Sequence, residues 1–295
     1  MEATNKKASP RQPSVVILIL IHKQELHHYE QISIQQCFRI LGAFPIVFVC
    51  PDNLDVSLYK NKFPEGKIHP IPPKWQKNYK QFARLKMNPL LYEHYKDYEY
   101  IFFYEPDAFV FKDEMAYWCS LNYSYIGAAW FQGMSDAKED ASFLGVGNGG
   151  FSLRKVEDHL KAIYTHKRIF YKKDFWLFWN WNRNKLLGIL KFLYRYIVGN
   201  STHYRWNNFQ WGEDRFWGLY VSRAFDWFTT PPLEVTQQFS METLARRQYQ
   251  ENGQQLPFGC HAWWRYDLEF WKPHIESFGY DLTTYDKPHF YRKSH

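Results

Sequence analysis

The stretch Tyr100-Ile-Phe-Phe-Tyr-Glu-Pro-Asp-Ala-Phe-Val-Phe111 combines an apolar run with two carboxylates. The apolar run predicts a buried β-strand. Glu105 and Asp107 are two positions apart and point the same way, because side chains alternate along a strand. Pro106 cannot donate a ladder hydrogen bond, so the strand is expected to end or bulge there. Two converging carboxylates at the end of a parallel strand form an oxygen site for Mg²⁺ or Mn²⁺. The alternative is a strand edge with two solvated acids.

Strands and helices alternate in the sequence before this stretch. The predicted elements are strands at residues 15–21 and 46–50 and helices at residues 29–41 and 79–95. Such alternation is typical of βαβ units and predicts an α/β fold with a mostly parallel sheet flanked by helices. Residues 1–13 are polar and contain prolines, so we expect a disordered tail followed by one domain over residues 14–295.

The composition is that of a globular protein. Of the 295 residues, 45% are hydrophobic and 20% aromatic, which excludes a disordered chain. The early apolar run at residues 15–21 is shorter than the ~20 residues of a membrane-spanning helix, and no secretory signal flanks it. The four cysteines are scattered without a CxxC pair, which predicts neither a zinc cluster nor a disulfide framework. We therefore expect a reduced, cytoplasmic compartment.

The positive charge is concentrated in one segment. The chain carries a net charge of +7, whereas residues 164–206 contain nine basic residues and one acid, or 9 − 1 = +8. A helix predicted within this segment has Asn184, Gly188, Lys191 and Arg195 on one face and Leu186, Leu190, Leu193 and Ile197 on the other. With the Trp and Phe residues that precede it, this pattern predicts a basic, aromatic helical insertion that binds an anionic membrane surface. The alternatives are a nucleic-acid-binding segment and aromatic packing onto the domain with solvated charges.

Three further motifs contain candidate functional residues. Gly145-Val-Gly-Asn-Gly-Gly-Phe-Ser-Leu153 allows close approach of the backbone to a ligand, or forms a tight connection. Trp211-Gly-Glu-Asp-Arg-Phe-Trp217 places two acids beside aromatic residues, where a raised pKa suits a general base, or begins a capped helix. Pro257-Phe-Gly-Cys-His-Ala-Trp263 places His261 in an apolar turn, as a metal ligand or as a structural histidine.

The order of these motifs resembles that of glycosyltransferases with the A-type (GT-A) fold, in which an acidic DxD pair ends a strand. Asp107-Ala-Phe-Val-Phe-Lys-Asp-Glu114, Val146-Gly-Asn-Gly-Gly-Phe-Ser-Leu-Arg154 and Phe258-Gly-Cys-His-Ala-Trp263 resemble, more narrowly, a glycosyltransferase-like family of bacteria and fungi without an assigned function. The resemblance covers roughly residues 15–271 apart from the insertion. It implies a GT-A-like single domain, hexosyltransferase-type activity, a nucleotide-sugar donor, and a glycan or lipid-linked glycan acceptor. Because the positive charge is local, no nucleic-acid partner is expected.

The resemblance also implies roles for the donor-side residues. Asp107, His261 and Glu105 correspond to the metal site, with Mn²⁺ or Mg²⁺ as the cofactor. This chain has Glu105 where the pattern has Asp, so Asp107 is the principal ligand expected. The segment Asn78-Tyr-Lys-Gln-Phe-Ala-Arg-Leu-Lys86 resembles the family's nucleotide-side helix, which makes Arg84 and Lys86 candidates for contact with the donor.

On the acceptor side, the resemblance assigns Gly149 and Gly150 to the glycine segment. Trp211 is predicted as a further acceptor contact. Asp214, with Glu213 as the alternate, corresponds to the base of inverting members; in a retaining enzyme Asp214 would have another role. A metal-dependent phosphodiesterase would use the same acids, but it needs ligands for two ions.

Overall fold

Residues 14–165, 184–198 and 212–282 are described by the computed structural model. The strands are β1 (Val15–Leu20), β2 (Ile46–Pro51), β3 (Lys67–Ile71), β4 (Tyr100–Tyr104), β5 (Phe109–Val110), β6 (Tyr125–Ile126), β7 (Ala128–Phe131), β8 (Phe143–Gly147), β9 (Phe151–Lys155), β10 (Ser240–Met241) and β11 (Gly259–Cys260). The expected tail at residues 1–13, most of the insertion at 164–206, and Trp211 lie outside the described residues.

The helices of the described residues lie between these strands and after them. They are α1 (His28–Leu41), α2 (Ser57–Lys62), α3 (Tyr79–Leu85), α4 (Pro89–His94), α5 (Met115–Ser120), α6 (Val156–Tyr164), α7 (Lys185–Val198), α8 (Glu213–Arg215), α9 (Ser222–Ala224), α10 (Leu233–Phe239), α11 (Ala245–Glu251), α12 (Trp263–Tyr266) and α13 (Leu268–Glu276). A π-helical turn, Phe216–Val221, joins α8 to α9.

A six-stranded sheet with the order β3-β2-β1-β4-β9-β6 forms the centre of the fold. The pairs β1–β2, β2–β3 and β1–β4 are parallel, whereas β9 is antiparallel to both β4 and β6. Five of the six strands therefore run in one direction. The predicted α/β class with a mostly parallel sheet is confirmed.

Strand β1 is buried on both faces, as its continuous apolar sequence predicts. Val15, Ile17 and Ile19 pack with α1 in one hydrophobic cluster. The alternate side chains Val16, Leu18 and Leu20 belong to a second cluster that contains residues of α4 and α6. Helices thus cover both faces of the sheet and exclude water from its central strands.

The sheet has a topological switch point between β1 and β4. From β1 the chain continues to β2 and β3 on one side, and it returns to β4 on the other side of β1. Crossover connections in opposite directions open a crevice at the carboxyl ends of the two central strands, where open α/β sheets bind their ligands. Glu105 directly follows β4 at this position.

The segment at residues 100–111 does not form one interrupted strand of one sheet. Strand β4 lies in the central sheet, whereas β5 joins a separate three-stranded sheet with the order β10-β11-β5. Pro106 lies between the two strands and cannot donate to a ladder, so the chain changes sheets at the acidic pair. Glu105 therefore follows a strand of the central sheet, whereas Asp107 precedes a strand of the three-stranded sheet.

The helix predicted at residues 79–95 is divided into α3 and α4. Pro89 disfavours helical geometry at the preceding residue, and Asn88 is indeed extended. The Asn88 side chain accepts a hydrogen bond from the Leu90 backbone N–H, which caps the start of α4. The prediction of one continuous helix is wrong, because the Asn-Pro start signal outweighs the helical spacing.

The helix expected inside the basic insertion is present as α7, but its exposure differs from the expected pattern. Gly188, expected with Lys191 on the polar face, is buried. Leu186, Leu190 and Leu193 are 66%, 55% and 44% exposed, so the leucine face points to solvent. The side chains of Arg195 and Ile197 lie outside the described residues.

All four cysteines are buried and unpaired. Within residues 14–165, 184–198 and 212–282, none of the helices has the length and apolar character needed to cross a bilayer.

Candidate active site

The two sheets bring three candidate ligands together at the switch point. Strand β5 is antiparallel to β11, with Cys260 opposite Phe109, so the residues before β5 lie beside those after β11. Asp107 and His261 are thereby adjacent, and Glu105 reaches them from the end of β4. His261 is more than 150 positions from Glu105 and Asp107 along the chain, yet the three residues form one cluster.

The cluster has the geometry of a candidate metal site. His261 Nε2 lies 3.0 Å from Asp107 Oδ1 and 3.5 Å from Glu105 Oε2. One potential ligand atom from each residue lies within 4.8 Å of the others. His261 Nε2 is buried and has no hydrogen-bond partner of good geometry among the described residues, although it faces two carboxylates. Two carboxylates and an imidazole that converge on one point fit Mn²⁺ or Mg²⁺.

A buried network of ion pairs contacts the cluster through Glu105. Lys86 Nζ pairs with Glu105 Oε1 and lies 2.9 Å from Glu213 Oε1. Arg154 Nη2 lies 3.2 Å from the same Glu213 oxygen. Lys86 and Arg154 are 2% and 0% exposed, so these contacts are shielded from water and salt. The network connects Glu105, at the end of β4, with Glu213, the first residue of α8.

The charges of this site perturb its ionisable groups in opposite directions. Burial lowers the pKa of Lys86, but the carboxylates of Glu105 and Glu213 outweigh burial and raise it. Burial raises the pKa of Glu105, but the charges of Lys86 and His261 bring it well below its usual value. Burial likewise opposes charging of His261, whose pKa is nevertheless raised by Asp107, Glu105 and Glu242. The site therefore favours a carboxylate at Glu105 and attracts positive charge.

The pKa of the Asp214 carboxyl is shifted in the opposite direction from that of Glu105. Burial, followed by the negative charge of Glu213, raises the pKa of the Asp214 carboxyl to about 7. Lys86 opposes this shift and Glu242 adds to it, whereas the Arg215 backbone N–H donates to Asp214 Oδ1 at 2.8 Å and stabilises the charged form. A carboxyl with a pKa close to neutral suits acid–base chemistry.

The glycine segment packs directly against the charged residues. A β-carbon at Gly149 would overlap the Glu213 carboxylate, and one at Gly150 would overlap the His261 ring. The Gly150 backbone N–H donates to the Asn148 side chain at 2.9 Å, which holds the turn in place. Close packing against the site thus requires glycine at both positions.

The structure brings together Asp107, His261, Glu105, Lys86, Glu213, Gly149 and Gly150, through the contacts given above. The pKa of Asp214 responds to Glu213, Lys86 and Glu242, which places Asp214 in the same electrostatic environment. Lys86, a candidate for contact with the donor, is paired with two carboxylates, Glu105 and Glu213. Arg84, on α3, has a buried Nε without a hydrogen-bond partner among the described residues.

Glu242, Trp130 and Arg154 were not recognised as site residues from the sequence. Glu242 Oε1 lies 3.0 Å from His261 Nδ1, and Trp130 Nε1 donates to Glu242 Oε2 at 3.3 Å. Glu242 lies in no acidic motif, so its only local signal is its position one residue after a short strand. Arg154 is the last residue of the glycine-containing motif at residues 146–154, but its burial results from the pairing of β9 with β4.

Replacing Lys86 with methionine is expected to destabilise the protein by about 3 kcal/mol, because Glu105 and Glu213 lose a buried counter-ion. Urea denaturation measures this difference. Lys272→Met is a matched control, since Lys272 pairs with Glu276 at 3.9 Å in a partly exposed i,i+4 contact. The control is expected to change the free energy of unfolding by less than about 0.5 kcal/mol. Equal effects of the two substitutions would contradict a structural role for the Lys86 ion pairs.

The fold and the site define an α/β protein with a candidate metal centre at the switch point of its sheet. Residues 65–261 match the family described as "Protein of unknown function (DUF5672)", and the chain belongs to this family. The match includes all the acidic and histidine residues of the site. No curated protein matches the sequence.

Solved glycosyltransferase structures are similar to this chain at low sequence identity. Galactosyltransferase LgtC, in complex with donor and acceptor sugar analogues, is 9% identical over 92% of this chain and 98% of its own, with a TM-score of 0.48. Mouse xyloside xylosyltransferase 1 is 9% identical over 84% and 98%, with a TM-score of 0.45. Core-mannan synthase A from Aspergillus fumigatus, in its Mn/GDP form, is 14% identical over 70% and 69%, with a TM-score of 0.38.

Proposed function

We propose that the protein is a metal-dependent glycosyltransferase that moves a hexosyl group from a nucleotide-diphosphate donor to a glycan or lipid-linked glycan acceptor. The observation that carries this proposal is the convergence of Asp107, Glu105 and His261 at the switch point of the sheet. A site built to hold a divalent cation in that crevice suits a diphosphate ligand, whose charge needs neutralising.

Asp107, His261 and Glu105 would hold Mn²⁺ or Mg²⁺, which when bound supplies positive charge to the diphosphate leaving group. Lys86 keeps Glu105 ionised and correctly placed through its ion pair. Arg84 remains the candidate for direct contact with the nucleotide, because its Nε is buried without a partner among the described residues. Lys86, in contrast, acts through Glu105 and Glu213.

Asp214 is proposed to accept the proton of the acceptor hydroxyl as that oxygen attacks the anomeric carbon. Its pKa of about 7 makes it a stronger base than an ordinary aspartate while leaving it partly ionised at neutral pH. Glu213 is less suited to this role, because its Oε1 already accepts hydrogen bonds from Lys86 and Arg154. A base opposite the leaving group implies inversion of the sugar configuration.

Gly149 and Gly150, with Trp211, are proposed to face the acceptor. The two glycines lie against Glu213 and His261, which supports a position at the edge of the reacting groups. Trp211 immediately precedes Gly212, the N-cap residue of α8, and therefore lies two positions before Glu213 in the sequence.

The proposal is tested by offering the wild-type protein a panel of nucleotide-diphosphate sugars with and without Mn²⁺. We expect at least one of them to raise the melting temperature and to be slowly hydrolysed, in both cases only with the metal. A panel without any such response would contradict the proposal. Metal-dependent hydrolysis of a simple phosphodiester would favour a phosphodiesterase, which would need ligands beyond the single three-residue group found among the described residues.

We further propose that the insertion binds the surface of an anionic membrane. Half of the large apolar side chains that are exposed in the described residues lie on α7, including Leu186, Leu190 and Leu193. The surrounding segment, residues 164–206, carries a charge of 9 − 1 = +8. Apolar side chains that can enter the interface, beside basic residues worth about 1 kcal/mol each near anionic lipid, suit this partner.

Flotation with anionic liposomes at low salt tests the membrane proposal. Replacing Lys185, Lys191 and Arg195 with glutamate is expected to release the protein, while transfer to a soluble acceptor persists. Serine at the three leucines should also release it, whereas Leu58→Ser and Leu90→Ser, at exposed leucines elsewhere, should not. A wild type that fails to float would contradict this proposal, and salt-sensitive binding to RNA instead would favour the nucleic-acid alternative.

A further inference from the structure

Strands β10 and β11 place an additional carboxylate beside the candidate metal site. The two strands are parallel neighbours, with Ser240 opposite Gly259 and Met241 opposite Cys260. Glu242 and His261 directly follow these two strands and therefore lie side by side at the same end of the three-stranded sheet. Asp107 lies on the other side of His261, so the imidazole ring is held between two acids.

The two ring nitrogens of His261 face different carboxylates. Nε2 faces Asp107 and Glu105, at 3.0 and 3.5 Å, whereas Nδ1 lies 3.0 Å from Glu242 Oε1. Glu242 is outside the group of residues that converge on the metal position. It contacts the nitrogen on the far side of the ring and so acts on the site through His261.

The second oxygen of Glu242 is also engaged. Trp130 Nε1 donates to Oε2 at 3.3 Å, which fixes the rotation of the carboxylate. The Trp130 ring packs against Gly147, where a β-carbon would overlap it. The glycine segment that supports His261 through Gly150 thus also supports, through Trp130, the acid that contacts His261.

We propose that Glu242 is a positioning residue for the metal site: it accepts the Nδ1 hydrogen of His261 and so leaves the Nε2 lone pair directed at the metal. A histidine ligand requires this arrangement, because a hydrogen on Nε2 would block coordination. Trp130 keeps the Glu242 carboxylate in the orientation that receives the Nδ1 hydrogen. The inference rests on the metal site of the proposed function, but not on the identity of the sugar or acceptor.

The test measures Mn²⁺ affinity by electron paramagnetic resonance of the free ion. Glu242→Ala is expected to weaken binding by about 10- to 100-fold, the usual loss when the outer partner of a histidine ligand is removed. Glu242→Gln should weaken it less, because the amide oxygen still accepts the Nδ1 hydrogen. Trp130→Phe should weaken Mn²⁺ binding by an amount between the effect of Glu242→Ala and no effect. The control is Glu276→Gln, at a carboxylate that pairs with Lys272 away from the site, and it should leave the affinity unchanged.

A spectroscopic measurement separates positioning from a general structural effect. In ¹⁵N-histidine-labelled, Mg²⁺-loaded wild type, the Nδ1 hydrogen of His261 is expected to give a downfield, slowly exchanging proton signal. That signal should disappear in Glu242→Ala and persist in Glu242→Gln, with melting temperatures close to that of the wild type. The resonance is identified by its loss in His261→Ala.

Mn²⁺ affinity within about twofold of wild type in Glu242→Ala overturns the role of Glu242, because loss of a true outer partner costs at least tenfold. Retention of the downfield signal in the same variant also overturns it. If Glu242→Ala does not fold, equal affinities of Glu242→Gln, Trp130→Phe and wild type overturn it instead. A wild type that binds no Mn²⁺ overturns the metal site itself, which distinguishes failure of the proposed function from failure of this inference.

Discussion

Asp107→Ala is expected to abolish metal-dependent donor binding. Asp107 Oδ1 is the atom closest to His261 Nε2 in the cluster, at 3.0 Å, and its removal leaves one carboxylate and one imidazole to hold the ion. The affinity for Mn²⁺ should fall by more than the roughly 100-fold that loss of an outer partner can cost. Isothermal titration calorimetry of Mn²⁺, and of nucleotide in its presence, measures both effects.

Asp113→Ala is the matched control for this substitution, because Asp113 is an exposed acid six positions further along the chain. It should bind metal and nucleotide as the wild type does. His261→Ala should weaken binding less than Asp107→Ala, since it removes a neutral ligand and leaves both carboxylates. Unchanged Mn²⁺-dependent nucleotide binding in a folded Asp107→Ala protein would show that the metal site is elsewhere.

Asp214→Asn is expected to reduce transfer by about 10²- to 10⁴-fold, the contribution of a general base, while donor affinity stays close to that of the wild type. The amide is nearly isosteric with the carboxyl, so packing should survive. Single-turnover rates and nucleotide affinities, measured on the same preparations, separate the two quantities. Asp226→Asn, at an exposed acid in the following loop, provides the control.

The pH dependence gives an independent measure of the same group. Because the pKa of Asp214 is about 7, transfer by the wild type should rise with pH through a midpoint near 7 and level off above it, as the carboxylate forms. The residual activity of Asp214→Asn should lack this rise. Wild-type turnover in the Asn variant would return Asp214 to a structural role at the start of α8 and direct attention to Glu213.

The raised pKa also predicts a cost to stability. The folded protein binds a proton at Asp214 more tightly than the unfolded chain, whose aspartates titrate at about 4. Stability should therefore fall as the pH rises from about 4 to about 7, and the wild type lacks this contribution at higher pH. Asp214→Asn should consequently be at least as stable as the wild type at alkaline pH, as expected of a residue kept for activity.

The elements that depend on local sequence pattern were predictable. The unbroken apolar run of β1 predicts a strand buried on both faces, and alternation with helices predicts the parallel sheet. The acids after β4 could also be selected as a pair from their place at the end of an apolar run, although they lie in the connection between β4 and β5 and not on one strand. Asp107 and His261 could be selected as candidates from their motifs, without any knowledge of their distance.

The way in which these candidates combine depends on tertiary packing. The chain changes sheets at Pro106, and the register of β10, β11 and β5 then places Glu242, His261 and Asp107 in one row. The same packing buries Lys86 between Glu105 and Glu213, where it is the counter-ion of both carboxylates. Pairing between short strands far apart in sequence leaves almost no local pattern, because each strand is two residues long. The partners of the candidate metal ligands are therefore set by strand register and burial, which cannot be read from the sequence.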